Sequence, residues 1–243
     1  TVMDRWLNDK YHRTDLYNIR DSESLKTLRR SYSALVTYID RKLGELIKTL
    51  EDHHLLDSTV IIFTSDHGDM LGERGMVQKR CFYEWSARVP LLMRIPSAQP
   101  ESQVVTTPVS LLDIAPTLLE TAGWKVSGTE SGEKRNDDDF DGISLLPLLR
   151  GADAEKKVKN KEAKDSGVYS RRAVFSEYVG EGVLSHCAMI VKDRMKYITI
   201  HGHDRQLFDL DQDPDELMDI AGTEACQQVE KEMENAIRKQ FDS

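Results

Sequence analysis

Thr59-Val60-Ile61-Ile62-Phe63-Thr64, followed at once by Ser65-Asp66-His67-Gly68-Asp69, decides how this chain is read. The first six residues are apolar or β-branched with no polar alternation, which predicts a short strand buried on both faces. The next five form a polar, glycine-containing turn at the carboxyl end of that strand, where α/β folds place their ligands. Upstream, Leu25, Leu28, Tyr32, Leu35, Val36, Ile39, Leu43, Leu46, Ile47 and Leu50 recur at helical spacing and predict one long amphipathic helix from Ser24 to Glu51. A helix feeding a buried strand implies a parallel α/β sheet.

Working downstream, Val89 to Ile95 reads as a second strand. Asp113 is placed to cap a helix with Pro116 in its first turn and Gly123 just past its end. Gly142 to Leu149 carries enough apolar residues to dock a short helical turn on the core. Ala173 to Val179, Cys187 to Val191 and Met195 to Ile200 read as strands separated by turn residues, which predicts a small antiparallel sheet. Glu224 to Phe241 has helical composition. Ser127 to Asp141 is rich in Gly, Asp and Glu, and Asp153 to Asp165 reads DAEKKVKNKEAKD, so both are expected to be solvated surface insertions. The expected organisation is an α/β part over residues 1–150, a charged insertion over 151–172 and a small α+β subdomain over 173–243.

Bulk properties narrow the function classes. With 39% hydrophobic and 31% charged residues, the composition fits a soluble globular protein, and no apolar run approaches the ~18 residues of a bilayer span. A formal charge of −9 disfavours broad binding to nucleic acid or an anionic membrane, while leaving room for a local anion pocket. Cys81, Cys187 and Cys226 are odd in number and widely spaced, offering neither a disulfide framework nor metal-finger spacing. A reducing, cytoplasmic setting is the expectation. The start, Thr1-Val2-Met3, has no initiator Met and no signal pattern, so the true N-terminus is expected upstream.

In the turn after the strand, Asp66 and His67 can supply an oxygen and a nitrogen ligand to a divalent cation, and Gly68 lets the backbone approach closely. On these residues alone, the competing reading is that they cap the next turn. The longer string SDHGDMLGERGMVQKRCFYEWSARVP, Ser65 to Pro90, resembles type I sulfatases, most closely the choline-sulfatase version of this segment. The resemblance continues through SLLDIAPTLLETAG, DGISLLPLLRG, FSEYVGEG, KYI and QLFDLDQDPDELMDIAG, sparing the two charged insertions. It implies the C-terminal part of an alkaline-phosphatase-like α/β fold, a mostly parallel sheet flanked by helices, followed by a small antiparallel subdomain with a terminal helix.

The resemblance also implies roles. Asp66 is a metal ligand, His67 a metal or sulfate-ester contact with a catalytic part, and Lys79 a catalytic group that binds a sulfate oxygen. A divalent ion and an ammonium both stabilise negative charge on a sulfate ester as its bond to sulfur breaks. Hard oxygen ligands favour calcium, with magnesium or manganese as alternatives. Glu84, Ser86 and Arg88, in E-x-S-x-R-V-P, are expected to hold the loop against the sheet. Glu177 matches a glutamate that looks placed to face the quaternary ammonium of choline sulfate. His201 and His203 read as a turn between strands.

Sulfatases carry a C-x-P-x-R motif whose Cys or Ser becomes formylglycine, and none of the three cysteines here stands in it. The expectation is therefore a sulfuric ester hydrolase acting on a small ester such as choline sulfate, homo-oligomeric when intact, with its formylglycine on an upstream segment. The chain alone is expected to be inactive and to expose apolar surface and sheet edges. The alternatives are a phosphonate or phosphate monoester hydrolase of the same superfamily, or a truncated, non-catalytic half-sulfatase that binds a partner.

Overall fold

The computed structural model describes residues 21–96, 104–124, 140–149, 173–180 and 185–241, with Ile19, Ser102 and Val183 besides. Both predicted insertions lie mostly outside the described residues. Helix α1, Ser22–Asp52, starts where the Asp21 side chain accepts from the Ser24 N–H at 2.7 Å. The sequence periodicity forms the helix, yet none of its residues is buried, and Leu35 and Val36 stay more than half exposed. Arg29 anchors it by donating to the Leu71 carbonyl at 3.1 Å and to Glu73 at 2.9 Å. No helix among the described residues is long and apolar enough to cross a membrane.

Strand β1, Ile61–Thr64, pairs with Leu91–Arg94, and Ile61 lies opposite Arg94. This pairing is antiparallel, which corrects the parallel arrangement read from the helix-then-strand order. The reason lies in the connection. Between the two strands the chain forms a small hairpin, β2 (Met70–Leu71) and β3 (Val77–Gln78), then a single helical turn, α2 (Glu84–Ala87). With no crossover helix to carry the chain back, the next strand, β4 (Leu91–Arg94), enters in the opposite sense. Burial on both faces is corrected too: β1 is half-buried, with β4 as its one partner among the described residues.

Helix α3, Ile114–Thr121, ends at Gly123, whose φ of 87° is the left-handed conformation that glycine adopts at least cost. Asp113 is its N-cap residue, as expected, but the Asp113 side chain makes no capping bond to the helix. Ser110 caps the preceding turn, and Asp113 answers by accepting the Ser110 N–H at 2.8 Å. The other Asp113 oxygen accepts the Ile143 N–H at 2.9 Å, so this buried carboxylate joins two segments. Helix α4, Leu146–Leu149, then buries Leu146 and Leu149 against Ile95.

The C-terminal part is a four-stranded antiparallel meander: β5 (Ala173–Tyr178), β6 (Cys187–Lys192), β7 (Met195–Ile200) and β8 (Arg205–Asp209). Alternation gives it two apolar faces. Ala188, Ile190, Tyr197 and Leu207 pack on Met233 and Ile237 of the terminal helix α5, Gln227–Phe241. Cys187, Met189, Ile198, Ile200 and Phe208 pack on Met70, Met76 and Tyr83 from the β2–β3 hairpin and its exit. The sheet is thus a platform beneath the segment that follows β1.

Candidate active site

The turn after β1 is ordered by its own polar atoms. The Ser65 hydroxyl donates to the His67 carbonyl at 2.8 Å, and the His67 N–H donates to Asp66 Oδ1 at 2.9 Å. That backbone hydrogen bond is the main reason the exposed Asp66 carboxyl is held below the ordinary carboxylate value. His67 Nδ1 lies 2.8 Å from the Gly68 carbonyl. A carbonyl can only accept, so in the neutral ring Nδ1 carries the proton and Nε2 presents its lone pair. Nε2 lies 3.4 Å from Asp66 Oδ2. Two electron-pair donors this close, with no hydrogen between them, suit a cation that both can touch. Among the described residues no third His, Cys, Asp or Glu joins Asp66 and His67 in a metal-binding cluster.

Lys79 lies between β3 and α2 and is flanked by Gln78 at φ 71° and Arg80 at φ 84°. Positive φ at two non-glycine residues is uncommon and is the kind of backbone that a surrounding structure must hold in place. Lys79 makes no hydrogen bond or ion pair among the described residues. It lines the same open cleft, of about 1980 Å³, as Asp66 and His67.

Gly68 joins the two segments. Its N–H donates to the Ser86 carbonyl of α2 at 2.8 Å. Glu84, at the start of α2, faces Arg88 at 3.6 Å and the Lys196 ammonium at 2.9 Å. Lys196 and its second partner, Glu216 at 2.8 Å, are fully buried, and Glu216 also accepts the Glu84 N–H at 2.7 Å. Burial pushes the Glu216 carboxyl up, against the opposing pull of Lys196. Sequence reading missed both residues, although a lone lysine between Met195 and Tyr197 in an apolar strand was a usable signal.

Glu177 lines the same cleft, on β5. Its carboxylate meets His186 Nε2 at 3.0 Å and is half exposed. The Phe241 ring packs edge-on against both His186 and Phe175. His201 and His203 occupy the β7–β8 turn.

Comparison with known proteins gives the family of the chain. The family described as Sulfatase matches residues 4–124, and the one described as N-sulphoglucosamine sulphohydrolase, C-terminal, matches residues 72–242. The chain belongs to the sulfatase family. It is 37% identical to a choline-sulfatase of Rhizobium meliloti over 82% of this chain and 34% of that protein. With an arylsulfatase K of Xenopus laevis it shares 33% identity over 88% of this chain and 38% of that protein. The chain therefore spans about a third of the length of these relatives.

Among solved structures, a phosphonate monoester hydrolase of Agrobacterium radiobacter superposes with a TM-score of 0.71 at 28% identity, covering 90% of this chain and 43% of that one. A 2-O glycosaminoglycan sulfatase shares the fold over the whole chain and 49% of its own, with a TM-score of 0.80 at 21% identity. The mixed α/β architecture is that of the alkaline-phosphatase-like sulfatases.

Proposed function

We propose that the protein containing this chain hydrolyses a small sulfate ester, with choline sulfate as the first candidate, and that this chain supplies part of the metal and sulfate site. The observation that carries the reading is the Asp66–His67 pair, its imidazole tautomer set by the Gly68 carbonyl, in one cleft with Lys79. Asp66 and His67 Nε2 would hold a divalent ion, calcium before magnesium or manganese, which when bound supplies positive charge against the sulfate oxygens. Lys79 would hold a sulfate oxygen and stabilise the charge that grows as the ester bond to sulfur lengthens. None of Cys81, Cys187 and Cys226 stands in C-x-P-x-R, so the nucleophile, a formylglycine on this reading, would come from another segment. Glu177 would meet the trimethylammonium group, a cation that offers no N–H to an acceptor and is recognised by charge and aromatic surface.

The test is turnover by the full-length gene product of choline sulfate, an aryl sulfate and an aryl phosphonate monoester, each before and after chelation of metal. Hydrolysis of choline sulfate that is lost on chelation supports the reading, whereas hydrolysis of the phosphonate alone replaces it. The likeness to the Agrobacterium radiobacter hydrolase is the observation that favours this second reading. A full-length product with no esterase activity on any of the three would favour a non-catalytic, partner-binding protein.

A further inference from the structure

The buried charges of Lys196 and Glu216 do more than join two layers of the fold. Lys196 Nζ touches both Glu216 at 2.8 Å and Glu84 at 2.9 Å, while the second Glu216 oxygen takes the Glu84 N–H at 2.7 Å. Glu84 is thus gripped through side chain and backbone at the first residue of α2. Two residues on, Ser86 accepts the Gly68 N–H, and a Cβ on Gly68 would lie only 2.0 Å from the Trp85 carbonyl oxygen. The turn carrying Asp66 and His67 therefore rests directly on α2. The segment carrying Lys79 enters α2 through Tyr83, which is 1% exposed, packs edge-on against Phe208 and takes a hydrogen bond from Gln206 Nε2 at 3.0 Å.

Stability alone does not explain the triad. Enclosing one ammonium between two carboxylates carries a large loss of hydration for each ion, and well-packed apolar residues of similar volume often give equal or greater stability. Glu216 moreover occupies the left-handed region at φ 51°, which is uncommon for a residue with a side chain and is maintained by its surroundings. Directional contacts fix a position more sharply than apolar packing does, and position is what a pair of ligands and an ammonium around one small ester require.

We propose that Lys196 and Glu216 are positioning residues: through Glu84 they set α2, and α2 sets both the Asp66–His67 turn and the Lys79 segment. The catalytic part of this inference rests on the sulfate-ester reading, whereas its structural part stands without it.

The test uses the full-length product with two variants, Glu216→Gln, which keeps the shape, and the double variant Lys196→Met with Glu216→Met, which removes both charges. Amide hydrogen exchange at Gly68 is read beside kcat and KM for an aryl sulfate. The expected result is Gly68 exchange faster by about tenfold or more, with the β5–β6 ladder protected as before. Alongside it, kcat falls by about tenfold or more and KM moves much less. Unchanged exchange at Gly68 in both variants overturns the proposal, and so does faster exchange with kcat intact. If the unmodified full-length protein turns over no sulfate ester, the sulfatase reading fails separately, and exchange at Gly68 alone decides whether the triad positions the turn.

Discussion

Gly68 packs against the Trp85 carbonyl so closely that a single added methyl would lie 2.0 Å from its oxygen. The obstacle is backbone, so no rotamer change relieves it. Gly68→Ala should push the β1 turn away from α2, break the hydrogen bond to Ser86 and destabilise the protein by about 1–3 kcal/mol. Chemical denaturation of the full-length variant measures the loss, and an unchanged midpoint would show that the two segments are not in contact.

Asp66→Ala and Lys79→Ala test the site with little risk to the fold, because Asp66 is largely exposed and Lys79 has no partner among the described residues. Each should lower kcat by about 10²-fold or more, while thermal stability changes by no more than about 0.5 kcal/mol. Near-normal turnover in both variants would remove these residues from the site.

Glu177→Gln separates choline recognition from sulfate recognition. Losing the carboxylate should raise KM for choline sulfate about tenfold and leave an aryl sulfate almost unaffected. An equal loss on both substrates would mean that Glu177 matters chiefly through His186, which its carboxylate contacts at 3.0 Å.

Glu230 gives the fold a pH dependence of known sign. Burial acts to raise its pKa but is outweighed by the Arg205 side chain and by the Gly222 N–H, which donates at 2.8 Å, so the carboxyl is held below its ordinary 4.5. A group whose folded pKa is depressed adds stability that is present above the unfolded pKa and lost as the pH falls through the folded one. Glu230→Gln should therefore be less stable than the parent near pH 7, and the gap should narrow once the pH drops below 4.5. Urea denaturation across that range checks it, and a gap of constant size would assign the effect to packing.

Much of the architecture was legible where information is local. The spacing from Leu25 to Leu50 gives α1 almost to its ends, and the run of Ile61 to Thr64 gives β1. What the sequence hid is what depends on partners. Nothing local distinguishes a β1 neighbour running parallel from one running antiparallel, because that choice lies in the path of Ser65 to Pro90. Strand β8 escaped because Leu207 and Phe208 are only two apolar residues beside aspartates, yet both reach 0% exposure beneath opposite faces of the sheet. The Asp66–His67–Lys79 grouping was legible through a string of residue types at fixed spacing. The depth of Lys196 was not, since it is produced by Glu84 and Glu216, far away along the chain.

That depth has a practical side. An amine with 0% exposure between two carboxylates is shielded from acylating reagents while the structure is closed, whereas the lysines along α1 stand in water. Lys196 is thus a natural footprint: its labelling should begin only when the meander and the segment between β1 and β4 come apart, and mass spectrometry of that one side chain would time their separation.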